Sequence, residues 1–368
     1  MKKEQCPERK RTSIGGQALM EGIMMRGPKM TAMAVRDPQG KIVIEERETK
    51  GVKRPKICRL PIIRGIFGYI DSMTVGYQCL MRSAELAGLE DAVEKKPETG
   101  EREDGWTRVT AESETADVAP ENSGTSAEEN VGKQENTKEK EEKKLPHWVM
   151  SAMMVVSVAL SLAIAIGIFI VVPMLLFRLL PKSARETGSP ALDSLIKSAF
   201  EGVIKIALLV GYMAAISLMK DIRRTFMYHG AEHKTIFCYE AGLPLTVENV
   251  RKQRRFHPRC GTSFLILMLI VSVFTSFFID PISIAIGGSV LHTVPRVLVK
   301  LALIPVIVGL GYELIKLAGR HDNLLTKIIS APGMWLQHIT VFEPTDDMIE
   351  CAIAAVRRVI PDDDSDNW

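Results

Sequence analysis

Trp148 to Phe177 reads WVMSAMMVVSVALSLAIAIGIFIVVPMLLF, thirty residues without an Asp, Glu, Lys or Arg. About 20 helical residues cross a hydrocarbon core, so this run predicts a membrane helix and excludes a purely soluble globular protein. Three weaker stretches follow it. One is uncharged from Ile206 to Met219, with Glu201 and Lys205 spaced i, i+4 near its start, where they can pair or snorkel. Gly261 to Ile279 is a third span. Pro281 to Leu317 is apolar but broken by Gly287-Gly288, Pro295, Arg296, Lys300, Pro305 and Glu313, and reads as a turn followed by an imperfect fourth span near 297–318. Intramembrane charges are sparse, which argues against a transporter's polar pathway.

Orientation follows from Lys and Arg in the connecting segments. Segment 220–262 holds nine, against three in 180–197 and one in 280–296, so it is expected on the cytoplasmic side with both termini. The expected fold class is a mainly α integral membrane protein with about four transmembrane helices and a small N-terminal cytosolic α+β segment containing a β-hairpin. The expected location is the cell (plasma) membrane, as a multi-pass protein.

Charge divides the chain further. The formal net charge of +3 is too small to argue for nucleic acid, but residues 91–144 hold 16 acidic and 9 basic side chains, net −7, leaving +10 elsewhere. With Trp106 as its one aromatic, that stretch cannot bury enough surface to offset its ordering entropy. It reads as a disordered acidic linker, 91–145, whose deletion should be tolerated. The remaining divisions are an N-terminal cytosolic or interfacial domain (1–90), spans one and two (146–220), a His/Cys/Arg-rich loop (221–262), spans three and four (263–318) and a cytoplasmic tail (319–368). The six cysteines show no CxxC pair and no signal peptide precedes them, so they read as reduced thiols.

Within 1–90, Thr31 to Arg36 and Lys41 to Arg47 flank Asp37-Pro38-Gln39-Gly40, a turn sequence that predicts the hairpin. Apolar positions from Ile63 to Ala84 recur at three and four, an amphipathic helix for a small core or the membrane interface. In the tail, Thr345 is placed to cap a helix carrying Ile349, Ile353, Val356 and Ile360 on one face.

Chemistry concentrates in Tyr228-His229-Gly230-Ala231-Glu232-His233-Lys234. On a helix His229 and His233 share a face at the i, i+4 spacing that lets two imidazoles hold one metal. His-x-x-Glu-His is also the inverted zincin pattern, which gives Glu232 the general-base role. His257, Cys260 and Cys238 supply further zinc-type ligand atoms. The bland alternative is a basic, histidine-rich loop resting on anionic lipid headgroups, with Gly230 weakening the helix. A second polar cluster, Gly15-Gly16-Gln17-Ala18-Leu19-Met20-Glu21-Gly22 with Arg26-Gly27-Pro28, offers Gln17, Glu21 and Arg26 to a polar ligand; otherwise its glycines shape turns. Phosphate-loop, dinucleotide and nucleophile-elbow patterns are absent.

Gly15 to Pro28, Tyr228 to Lys234, His257-Pro258-Arg259-Cys260-Gly261-Thr262-Ser263-Phe264, and Glu343-Pro344 with the Ile349 to Ile353 helix together resemble the YqhQ-like family. This resemblance covers nearly the whole chain except the acidic linker. It implies a bacterial multi-pass membrane protein of unknown function, in a family labelled as predicted metal-dependent enzymes. The expectation is a cytoplasmic-face hydrolytic site using zinc or another divalent metal: His229 and His233 as ligands, His257 or Cys260 as the third, Glu232 as base. Gln17, Glu21 and Arg26 would join the same pocket. The competing reading is a non-enzymatic membrane scaffold or assembly factor binding a protein or lipid partner. Expected partners are the bilayer and anionic lipid headgroups, not nucleic acid.

Overall fold

The computed structural model describes residues 11–49, 55–88, 105–109, 147–289, 291–320 and 323–367. Strand alternation decides its N-terminal layer. Successive side chains of β1 (Gly15–Leu19), β2 (Gly22–Arg26), β3 (Met30–Arg36) and β4 (Ile42–Glu48) point to opposite faces. Ile23, Met25, Ala32, Ala34 and Ile44 bury one face, and Leu19, Met24, Met33 and Val35 the other. A sheet apolar on both faces needs two covers.

The expected hairpin is present: Arg36 opposes Ile42, and Gly40 takes φ 84° in its turn. A second hairpin precedes it, with Leu19 opposite Gly22 and Glu21 at φ 52°. Several glycines expected in turns therefore lie in strands. At Gly22 the reason is crowding, since a Cβ there would come 2.8 Å from Val35 Cα.

The acidic segment 91–145, expected to be wholly unstructured, is corrected at one point. Thr107–Val109 forms β5 on the edge of β4, and Trp106 is 3% exposed in the core beside Cys79 and Met33. Composition averaged over fifty residues hides one aromatic that finds an open apolar site. The rest of that segment lies outside the described residues.

Helix α1 (Ile63–Leu86) covers the Leu19/Met33 face through Val75, Cys79 and Leu80. Its first turns leave the sheet: Arg64 pairs with Glu313, Tyr69 stacks on Phe264 at 5.5 Å, and Gly65 packs on Tyr312 and Gly309. One helix thus ties the sheet to one end of the apolar helices.

These helices begin with α2 (His147–Ile166), which runs through a π turn at Gly167–Val171 into α3 (Val172–Leu179). Then come α4 (Lys182–Arg185), α5 (Pro190–Ile216), α6 (Lys220–Glu240), α7 (Val247–Arg251), α8 (Gly261–Gly287), α9 (Thr293–Ala302), α10 (Ile304–Arg320), α11 (Leu324–Thr340) and α12 (Asp346–Arg357). Among the described residues, Val155–Leu179, Leu192–Ile216 and Gly261–Gly287 are long and apolar enough to cross a membrane. Segments Val294–Ala302 and Ile304–Ala318, bent by 40°, make up to a fourth. That fourth span is thus two helices rather than the single imperfect one expected.

Two parts of the chain expected to be irregular are helical. The 221–262 loop is mostly α6 and α7, and the tail contains α11 before the expected α12. Thr345 takes the N-cap position of α12 but its hydroxyl makes no capping bond. Helices α6 and α12 form the second cover of the sheet, packing Tyr228, Ala231, Met348, Ile349 and Ala352 on its Ile23/Ala34 face.

Candidate metal centre

Gly230 does not break α6. It lets the helix touch the chain after α11, because a Cβ at Gly230 would strike the carbonyl oxygen of Phe342. That contact sets the centre, since it brings the carbonyl of Thr340, the last residue of α11, to 3.0 Å from His229 Nδ1. The carbonyl of Arg255 lies 2.6 Å from His233 Nδ1. A ring nitrogen facing a carbonyl must carry the proton, so in both imidazoles Nε2 is the atom with a lone pair. These turn toward Cys260, the N-cap of α8: His229 Nε2 lies 3.0 Å from its sulfur. One ligand atom from each of His229, His233 and Cys260 lies within 4.8 Å of the others, and all three residues are buried. Among the described residues, His233 Nε2 has no partner at hydrogen-bond geometry, and the Cys260 thiol is the polar group that acts on it. A buried imidazole nitrogen left unpaired beside a thiol, its ring fixed by a carbonyl on the far nitrogen, has the geometry of a metal ligand.

The electrostatics agree. Burial pulls the His233 pKa down, favouring neutral imidazole. Burial pushes the Cys260 thiol up, but His233 and the Thr262 hydrogen bonds outweigh it, so the thiol is held below its usual range. The two groups are linked: the lowering at Cys260 draws on a charge at His233 that burial disfavours, so thiol and imidazole share one proton, which a bound metal would displace. Glu232, 6% exposed, is pushed up to about 7 by desolvation, against opposing effects of His229 and the Gly16 amide. Gly16 on β1 is required there: a Cβ would come 2.9 Å from the Glu232 carboxyl carbon and 2.8 Å from the Met24 carbonyl oxygen. A carboxyl poised near neutrality within range of the His229 imidazole and the Cys260 thiol can exchange protons at physiological pH.

A family model described as "Protein of unknown function (DUF1385)" matches residues 60–362. The chain belongs to the DUF1385 family. It is also 31% identical over 353 residues, 95% of this chain and 92% of the relative, to "Uncharacterized protein YqhQ" of Bacillus subtilis (strain 168). No solved structure matches it.

In this DUF1385 protein the other expected site residues separate. His257 stays outside the ligand triad: its ring is 5.6 Å from that of His233, its Nε2 lies 3.9 Å from Glu240, and Arg259 N donates to its Nδ1 at 3.2 Å. Cys238 is buried near the Pro244 carbonyl at 3.6 Å, away from the triad. Glu21 binds Arg224 instead, through Nε and, at 2.6 Å, Nη2. Gln17 and Arg26 point to the other face of the sheet. Gln17 packs on Gly76 of α1 and Arg26 lies within electrostatic range of Cys79. Strand period explains this division, since Gly16 faces α6 and its neighbour Gln17 cannot. From Gly15–Pro28, then, it is the Gly16 backbone that reaches the centre.

The sequence reading missed Thr340, Arg255 and Thr262, which act through backbone or hydroxyl. It also missed Gln337, which grips the His257 backbone, accepting from its N–H at 2.8 Å and donating to its carbonyl at 2.7 Å. Asn323 with Thr326, which form the capping box of α11, was the available signal for the helix that carries Gln337 and Thr340.

Proposed function

We propose that this protein is a multi-pass membrane protein of the plasma membrane, termini cytoplasmic, with a metal-dependent hydrolytic centre on its cytoplasmic face. The observation that carries the reading is the convergence of His229 Nε2, His233 Nε2 and Cys260 Sγ, with both Nδ1 atoms committed to carbonyls. Two imidazoles and a thiolate suit zinc, and three protein ligands leave a position open. A bound zinc ion would supply Lewis acidity. Glu232 then holds or releases a proton at its carboxylate, steadied by the Gly16 amide, and the Gly230 contact keeps the Thr340 carbonyl on His229. Burial of all four side chains limits water at the centre. The membrane assignment rests on the length and apolarity of the helices and on the nine basic residues of 220–262.

Metal analysis of the purified full chain should find near-stoichiometric zinc or another divalent ion, lost in His229→Ala/His233→Ala and retained in Glu232→Gln. Equal background metal in all three proteins would put the scaffold reading ahead. Cysteine labelling from outside intact cells should reach a site introduced at Ser189 and not one at Asn249; reaction at both would overturn the orientation.

A further inference from the structure

A second polar assembly lies among the apolar helices, toward the opposite end of α8 from Cys260. Backbone groups in regular helices are already paired with one another, so ionised side chains there depend on each other or on a guest. Asp280 and Arg296 are each 1% exposed. Arg296 Nη1 donates to Asp280 Oδ2 at 2.6 Å, and the Ser194 hydroxyl donates to the same oxygen at 2.6 Å. Further along α5 and α9, Lys300 donates to Glu201 at 2.6 Å. Of the two options the sequence left to Glu201 and Lys205, pairing or snorkelling, the pair does not form, because tertiary packing brings Lys300 to Glu201. Lys205, 5% exposed, is left without a hydrogen bond among the described residues.

The assembly is incomplete in two respects. Among the described residues, four buried atoms have no hydrogen-bond partner: Arg296 Nε and Nη2, Glu201 Oε1 and Asp280 Oδ1. Charge is also unbalanced. Lys197 stands within electrostatic range of Arg296, Lys300, Glu201 and Asp280, and Lys205 of Lys300, Arg296 and Glu201, so among the described residues four cations face two anions, leaving +2 when all are ionised.

Each deficiency specifies part of a guest. Nε and Nη2 form one edge of the guanidinium fork, which takes two oxygens of an oxyanion side by side. The excess charge calls for an anion. The two unpaired carboxylate oxygens call for a donor on the same guest, such as a protonated phosphate oxygen or a headgroup hydroxyl or ammonium, which a simple carboxylate lacks. Pro281, inside the continuous α8, removes one backbone donor beside Asp280, and a 40° bend separates α9 from α10. Interrupted helices at such depth accompany binding sites. Between α8 and α9, an open groove of about 530 Å³ lined by Phe278, Ile282, Ile286, Val299 and Leu303, with the Asp280 neighbour Ile279 on its wall, has the apolar surface that an acyl chain needs.

We propose that this assembly is a phosphate-binding site, filled by a lipid headgroup whose chain occupies the α8–α9 groove or by free phosphate. The proposal is independent of the metal centre. It is tested on the full chain, purified in phosphorus-free detergent and buffer, by total phosphorus, mass spectrometry of the lipid extract and equilibrium binding of radiolabelled inorganic phosphate. The expected result is about one phosphorus per chain or saturable phosphate binding. Arg296→Lys, which keeps the charge and loses the fork, should weaken this about tenfold or more. Lys205→Gln breaks no hydrogen bond and should weaken it several-fold with an unchanged thermal midpoint, so a failure of Arg296→Lys to fold leaves the test decisive. Phosphorus in the lipid extract identifies the lipid source, and binding of inorganic phosphate alone identifies the free ion. No phosphorus and no phosphate binding in the wild type, or equal binding in Lys205→Gln, would overturn the proposal. So would Asp280-dependent ion flux in phosphate-free liposomes, which would make the assembly an ion path.

Discussion

The two polar regions draw on different residue types and solve burial differently. Around His229, His233 and Cys260 the polar atoms meet backbone groups at irregular places, namely the end of α11, the 252–260 segment and the start of α8, where carbonyls and amides are free. Around Asp280 and Arg296 most backbone groups are already paired within helices, so side chains answer side chains and, among the described residues, four buried atoms go unanswered. The lesson is that irregular backbone, rather than the count of polar residues, lets a site satisfy itself. A centre with one unpaired ligand nitrogen suits a metal; an assembly with an unpaired guanidinium edge suits a larger anion.

The comparison breaks most visibly at Asp280. Asp280→Ala strands the Arg296 guanidinium without its counter-ion and should cost about 3–5 kcal/mol, read as a lowered thermal midpoint. Asp280→Leu combined with Arg296→Met should recover most of that loss. If the single change is silent, the pair is hydrated and the contrast between the regions disappears.

A smaller effect is expected at Gly230. Because its neighbour is the Phe342 backbone, which cannot move aside as a flexible side chain would, Gly230→Ala must push α6 away from the 340–344 segment. That should cost about 1–3 kcal/mol and weaken metal affinity on the order of 10–100-fold by withdrawing the Thr340 carbonyl from His229. Unaltered metal affinity would show that the carbonyl does not orient the ligand.

The smallest effect concerns pH and a third set of charges, the Glu240 cluster that joins the chain ends. Glu240 accepts from Thr12 N at 3.1 Å and pairs with Arg259, while Thr12 and Tyr239 both donate to Asp366. Burial pushes the Glu240 carboxyl up, but the neighbouring His257 ring and Arg259 outweigh it, so it is held below its ordinary value of 4.5. A lowered folded pKa gives stability that is full above the unfolded value and is lost as pH falls through the folded one. Thermal stability should therefore decline below about pH 4.5, and Glu240→Gln should flatten that slope while lowering stability at pH 7. A parallel slope in the variant would assign the acid sensitivity to other carboxylates.

Much of the architecture is legible in local pattern. The 148–177 run, the Asp37–Gly40 turn, the period of 63–84 and the apolar face of 349–360 each report a constraint that neighbouring residues share. His229 and His233 are legible for the same reason, since i, i+4 spacing on one helix is itself a local fact. Trp106 and α11 were not, the first because its partners Cys79 and Met33 are distant in sequence, the second because Pro332, a residue that ordinarily ends a helix, lies inside it.

The sequence by itself determined that long apolar helices are present, where the basic segments fall between them, and which helix bears the histidine pair, because these depend on spacing within one element. Only the tertiary structure decided that Cys260 rather than His257 completes the triad, that Gly16 reaches Glu232 while Gln17 and Arg26 turn away, and that Glu201 takes Lys300 instead of Lys205. The physical reason is that a carbonyl, an unpaired nitrogen or a counter-ion acts over a few ångströms, and for these groups such distances are fixed by packing between elements that lie far apart along the chain.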